Sequence, residues 1–219
     1  MTPWIWVVAS YLLGSTPSSY LAGRWARGID LREHGSGNLG ATNSFRVLGA
    51  RIAAPVMIFD MVKGFIPTAL FGLWDSSDVW AWSLAYGAAA ILGHVFSIYM
   101  RFRGGKGVAT AAGVFLALSP VAVGVALAAW LIVLKVGRMV SLASIVAAAI
   151  LVGTLILTES RSEVLTLGIL VATFVIYGHR TNVRRILAGE EHRFGQPRAP
   201  QGGPVVESAN GSSIEEGGT

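Results

Sequence analysis

Long uncharged stretches set the pattern of this chain. Residues 80–100 and 108–134 contain no Asp, Glu, Lys or Arg, and further apolar runs cover 3–23, 52–73, 139–158 and 164–178, with Asp60 and Lys63 interrupting the second of these. Several of these runs approach the ~20 apolar residues that cross a bilayer. The runs are apolar all round and not along one face, so they are expected to be membrane helices and not the amphipathic helices of a soluble core. Polar residues gather in the connectors. Five arginines fall within 24–51, three cations within 101–107, "KVGR" occupies 135–138, and "HRTNVRRILAGEEHR" occupies 179–193; the remaining connectors, "DSSD" and "TESRSE", are net acidic.

Basic connectors face the cytoplasm as a rule. If all four do, the stretch 108–134 must leave that side and return to it, and the natural bend is Ser119-Pro120, because proline suits the first turn of a helix and disfavours helix in the residue before it. Two helices of about a dozen residues would then form a half-depth hairpin, each rising ~18 Å. This gives an all-α integral membrane protein of seven helical segments, amino end outside and carboxyl end cytoplasmic. The alternative is six segments, with one long helix and "KVGR" outside. The first run carries no cation before it, whereas Arg24 and Arg27 follow it; that polarity is the reverse of a secretory signal and implies a retained helix. The expected organisation is a membrane-embedded domain over 1–194 and a Pro-, Gly-, Ser- and Glu-rich disordered tail over 195–219.

Composition narrows the chemistry. Hydrophobic residues make up 53% and charged residues 13%, and cysteine is absent, which excludes a thiol nucleophile, a disulfide framework and a cysteine metal site. The net charge of +5 sits in short connectors, as membrane orientation requires, and not in a nucleic-acid groove. Phosphorylated partners remain.

Three clusters carry candidate chemistry. In "HGSGNLGATNSFRVLGAR", Gly35, Gly37 and Gly40 allow backbone shapes that aim successive amides into an anion-binding nest. Thr42 or Asn43 is expected to cap a helix starting near Ser44, whose positive end adds to the nest, with Arg46 on its first turn as a phosphate grip. In "RFRGGKGVATAAG", Gly104, Gly105 and Gly107 expose amides, Lys106 supplies a point charge, and a helix starts near Val108. A nucleotide-binding P-loop is excluded because Met100 and Gly107 occupy its required Gly and Ser/Thr places. In the third cluster His179 and Asn182 are three apart and share a helical face, while Arg184, Arg185 and Arg193 are assigned to anionic headgroups. Asp60 and Lys63, three apart within a span, are expected to neutralise each other, and His94 is assigned a structural role. Each device binds anions and all three fall on one side, so one interfacial site accounts for them together.

These stretches, with "DMVKG" and "GHVFSIYMRFRGGKGVATAAG", resemble the bacterial membrane-integral acyl-phosphate:glycerol-3-phosphate acyltransferase family over residues 14–194, in family order and spacing. The resemblance implies transfer of a fatty acyl group from acyl phosphate to the 1-hydroxyl of sn-glycerol 3-phosphate, giving lysophosphatidate and inorganic phosphate, with a seven-helix fold, no cofactor and no metal. It implies an active site containing Ser36, Arg46, Lys106, His179 and Asn182, neighbours Asn38 and Thr42, a glycerol-phosphate loop at Gly104–Gly107, and a structural Glu191. It further implies a bacterial plasma-membrane location and coupling to the enzyme that makes acyl phosphate. The family usually has proline after "GHVF" where this chain has Ser97, which is expected to loosen the third span locally. The rival reading from another class is a small transporter or channel for an organic phosphate, which would place ionisable residues along a midplane path. The His-x4-Asp signature of soluble-type acyltransferases is missing, since Leu39, Tyr99, Arg184 and Pro197 stand five residues after the four histidines.

Overall fold

The computed structural model describes residues 1–159 and 161–193, in which all regular structure is helical. The expected tail, 195–219, lies outside the described residues. Ten α-helices follow in order: α1 Pro3–Ser15, α2 Ser18–Arg27, α3 Ala41–Leu48, α4 Ala50–Leu70, α5 Trp82–Val95, α6 Val108–Leu118, α7 Pro120–Gly137, α8 Val140–Thr158, α9 Ser162–Gly178 and α10 Arg180–Leu187. Ala50–Leu73, Trp82–Met100, Pro120–Gly137 and Val140–Thr158 are each long and apolar enough to cross a bilayer, and α9 with α10 qualifies as a pair bent by 53°.

The first apolar run is not one helix. Pro17 has no amide to donate and drives Thr16 out of the helical region, to φ −54° and ψ 117°, so α1 ends and α2 starts as a separate amphipathic helix. The Thr16 carbonyl accepts a 2.9 Å hydrogen bond from Lys63 Nζ. Ser119-Pro120 breaks the 108–134 run at the expected place, but the two arms are unequal. α6 has 11 residues whereas α7 has 18, because no cation interrupts α7 before Lys135. Both outer ends of this hairpin, Val108 and Leu134, line the same cavity, so α6 leaves the site and α7 returns to it.

Close helix contacts run through glycine. A Cβ on Gly14 would overlap the Ala90 carbonyl and one on Gly93 the Tyr11 carbonyl, which draws α1 against α5; Gly64 and Gly113 play the same part between α4 and α6. Ser97 does not loosen α5. Its hydroxyl donates to the Ser15 carbonyl at 2.5 Å, and Tyr11 donates to the Phe96 carbonyl at 2.7 Å, so the end of α5 is tied to the end of α1. The main apolar core, with Val114, Phe115, Ala122, Leu155 and Val164 at its centre, is formed by α6 to α9.

Candidate active site

The first loop is organised by two buried polar side chains. Asp30 caps the turn at Leu31–Glu33 and is gripped by Arg32 at 2.7 Å and Arg24 at 3.4 Å, which holds its carboxyl down at about 2. Asn43 reaches back from α3, accepting from the Ser36 amide at 2.9 Å and donating to the carbonyls of His34 at 2.9 Å and Leu31 at 3.3 Å. It therefore pins the loop and does not cap the helix. That helix starts at Ala41, three residues before the expected Ser44, with Gly40 as its N-cap. Arg46 consequently falls in its last turn and not its first. Gly35 and Gly37 do take the left-handed conformation, φ +67° and +70°, yet the Gly37 amide is bonded to the His34 carbonyl. The open amides nearest the site are those of Ala41 and Thr42 at the start of α3, since the Asn43 amide donates to the Gly40 carbonyl at 3.1 Å.

The second loop differs similarly from its expected form. The amides of Gly104 and Gly105 donate to the carbonyls of Val95 and His94 at 2.9 and 3.1 Å, so they close the C-terminus of α5. Gly107 takes φ +78° and opens α6. Lys106 Nζ reaches Asn182 Oδ1 at 2.5 Å, Asn182 Nδ2 donates to Glu191 Oε1 at 2.7 Å, and Ser141 donates to the same oxygen at 2.7 Å. Four elements, the 104–107 loop, α8, α10 and the segment after α10, thus meet in one polar chain. Burial pushes the Lys106 ammonium down to about 8, with the positive fields of Arg185, Arg46 and Arg180 acting in the same direction and Glu191 opposing them.

His179 sits at the bend between α9 and α10, buried, with Nδ1 2.7 Å from the Val175 carbonyl. A carbonyl only accepts, so Nδ1 carries the hydrogen and Nε2 keeps its lone pair.

These groups surround one cavity of about 680 Å³. Ser36, Asn38, Gly40, Thr42, Arg46, Lys106, Gly107, His179, Asn182 and Arg185 line its polar end, together with the first turns of α3 and α6, a pair of helix N-termini suited to an anion. The rest is mostly apolar: Leu134 to Val123 on α7, Val140 to Leu151 on α8, and Val175 to Val171 on α9 line a groove whose depth along α7 or α8 is roughly 16 Å by helical rise, and Asp60, His94, Ser141 and Ser144 add polar groups to the lining. Gly35, Gly37, Gly104, Gly105 and Glu191 stand outside the lining. Arg185 is a correction to the sequence reading, since it lines the cavity, whereas Arg184 and Arg193 do not. Ser141 was not picked out from the sequence; a hydroxyl in the first turn after the basic "KVGR" turn was the available signal. Asp60 and Lys63 are 2.7 Å apart and buried, and Asp60 Oδ1 also accepts from Ser18 at 2.7 Å. Among the described residues no three His, Asp or Glu side chains are grouped to hold a metal ion.

An all-helical membrane protein with a cavity that is cationic at one end and mostly apolar at the other has the architecture of a lipid-modifying enzyme for phosphorylated substrates. The family model described as glycerol-3-phosphate acyltransferase matches residues 4–189, and the chain belongs to that family. The glycerol-3-phosphate acyltransferase of Geotalea daltonii is 43% identical over 188 residues, covering 86% of this chain and 95% of that one. The Synechococcus elongatus enzyme of the same name is 46% identical over 196 residues, covering 85% and 92%. Among solved structures, PlsY (YgiH), an integral membrane glycerol 3-phosphate acyltransferase, in its glycerol 3-phosphate form matches with TM-score 0.82 at 39% identity, over 88% of this chain and 96% of that one. Its lysophosphatidic acid form matches with TM-score 0.79 at 38% identity, over 88% and 95%. The chain is an acyltransferase.

Proposed function

We propose that the chain transfers a fatty acyl group from acyl phosphate to the 1-hydroxyl of sn-glycerol 3-phosphate at the cytoplasmic face of a bacterial plasma membrane. The products are lysophosphatidate and inorganic phosphate. The observation that carries this reading is the continuity of a cationic pocket with an apolar groove in a single cavity. A phosphate group belongs among Lys106, Arg46 and the helix N-termini, and an acyl chain belongs between α7, α8 and α9. The topology that fits is seven apolar segments, α1, α4, α5, α6, α7, α8 and α9, amino end outside, with α6 and α7 as a re-entrant hairpin; the positive-inside bias of the connectors supports that orientation. Against a transporter's midplane path of ionisable residues stands the pairing of Asp60 with Lys63, which neutralise each other at 2.7 Å.

The donor is a mixed anhydride, already activated, so the protein has to position and neutralise. The glycerol hydroxyl oxygen attacks the acyl carbonyl carbon, the new ester C–O bond forms as the carbonyl C–O bond to phosphate breaks, and phosphate leaves. Lys106 and Arg46 compensate the phosphate charge, while Ser36 and Asn182 orient the nucleophile. Two groups are candidates to accept the hydroxyl proton, an oxygen of the donor phosphate and His179 Nε2, the latter made a weak base by burial that holds the imidazole down at about 4. Purified protein supplied with palmitoyl phosphate and glycerol 3-phosphate is expected to release phosphate only when both are present, with lysophosphatidate formed in equal amount. Folded protein that makes no lysophosphatidate from acyl phosphate, acyl-CoA or acyl carrier protein donors would transfer the case to organic-phosphate transport.

Lys106 also sets a pH dependence. Burial holds its ammonium down at about 8, and a bound phosphate dianion raises that value, so above pH 8 binding must take up a proton. The KM for glycerol 3-phosphate is expected to be flat between pH 7 and 8 and to climb by up to about tenfold per pH unit above it. A KM unchanged from pH 7 to 9.5 would remove Lys106 from phosphate binding.

A further inference from the structure

Gly104 and Gly105 invite the reading that their amides cradle phosphate, but both amides are engaged with the last carbonyls of α5. The reason for glycine lies on the other side of the loop. The imidazole tip of His94 occupies the space a Gly105 Cβ would need, and the carbonyls of His94 and Val95 occupy the space of a Gly104 Cβ. The His94 ring is buried in turn, with Nδ1 3.6 Å from Asp60 Oδ1, and that carboxylate is fixed by Lys63 and Ser18. The loop thus lies on a rigid stack of buried polar groups and presents Lys106 one residue further on, aimed at Asn182.

We infer that His94 is a positioning residue, which sets the height of the Lys106 loop by stacking Gly105 on a buried ring packed beside Asp60. No contact between His94 and substrate is required. The ammonium of Lys106 works at the end of a short tether, and a misplacement of about 1 Å at a group that fixes a reactant costs on the order of 10²-fold in rate. In kinetic terms the inference rests on the acyl-transfer reading, so its test has a second readout that needs no substrate.

The experiment is a complementation between Gly105→Ala and His94→Asn. Asparagine lacks the Cε1 and Nε2 atoms of the imidazole tip that crowd a new Cβ, yet keeps an amide donor where Nδ1 faces Asp60. Gly105→Ala alone is expected to raise the KM for glycerol 3-phosphate about tenfold or more, with a smaller change in kcat, and to lower the melting temperature in detergent. In the double variant, KM is expected to fall back to within about threefold of His94→Asn alone, and the melting temperature to recover with it. Gly104→Ala serves as the control: its new Cβ meets main-chain carbonyls, which no side-chain change removes, so His94→Asn is not expected to rescue it. If the two effects on KM multiply, Gly105 is glycine to make room for the ligand and the inference falls. If wild-type protein forms no lysophosphatidate, the acyl-transfer reading falls instead, and recovery or non-recovery of the melting temperature still decides the packing claim. Should His94→Asn not fold, His94→Ala removes the same tip and is read in the same way.

Discussion

Lys106→Ala is expected to cut kcat/KM for glycerol 3-phosphate by about 10²–10³, the cost of removing one preorganised charge from a water-poor site. The ammonium stands 2.5 Å from Asn182, within a chain that continues to Glu191 and Ser141, so its loss removes the charge and also frees the Asn182 amide to turn. Melting behaviour separates this loss from misfolding. Folding lowers the affinity of Lys106 for its proton, from an ordinary 10.5 to about 8, so at neutral pH the charged side chain costs the empty protein stability, a cost that fades as pH rises from 8 towards 10.5. The alanine variant is therefore expected to melt at or slightly above the wild-type temperature while losing activity, the pattern of a residue kept for function at the expense of stability. Retention of more than about a tenth of kcat/KM would mean that phosphate is held elsewhere.

The sequence carried the membrane class and the meeting of three loops at one site, because uncharged runs and cation clusters are properties of composition and position alone. It also carried the bend at Ser119-Pro120, because proline acts locally. Thr16-Pro17 holds the same local signal, but the apolar run continues past it, and hydrophobicity says nothing of where a helix breaks. The partners of polar side chains were less legible. Asn43 has the residue type of an N-cap, and only the fold shows that its amide is taken by the 31–36 loop. Gly104 and Gly105 have the composition of a phosphate nest, but whether an amide faces a ligand or a helix end depends on how α5 terminates, a matter of three-dimensional packing. Arg185 and Arg184 are neighbours of one type; the start of α10 at Arg180 decides which of them turns toward the cavity.

The largest stability loss is expected at Asp60. Its carboxylate is fully buried in α4 and receives Lys63 at 2.7 Å and Ser18 at 2.7 Å, while Lys63 also donates to the Thr16 carbonyl, to which the Ser18 amide donates as well. The pair thus fastens the break between α1 and α2 to α4. Asp60→Ala leaves the Lys63 ammonium buried beside an apolar methyl, and breaking one side of such a pair costs about 3–5 kcal/mol. For a chain of this size that lowers the melting temperature by on the order of 10 °C. Lys63→Met alone leaves the carboxylate its Ser18 bond but removes its ammonium partner, and is expected to cost a similar amount. The double variant Asp60→Ala, Lys63→Met removes both charges, and it is expected to melt several degrees above either single variant, because replacing a whole buried pair by apolar groups is often close to neutral. Thermal unfolding of the four proteins in one detergent closes the cycle. Additive losses would show that each side chain is held by its hydroxyl or carbonyl partner, Ser18 or Thr16, and that the ion pair adds nothing; recovery in the double variant would identify the pair as the fastening.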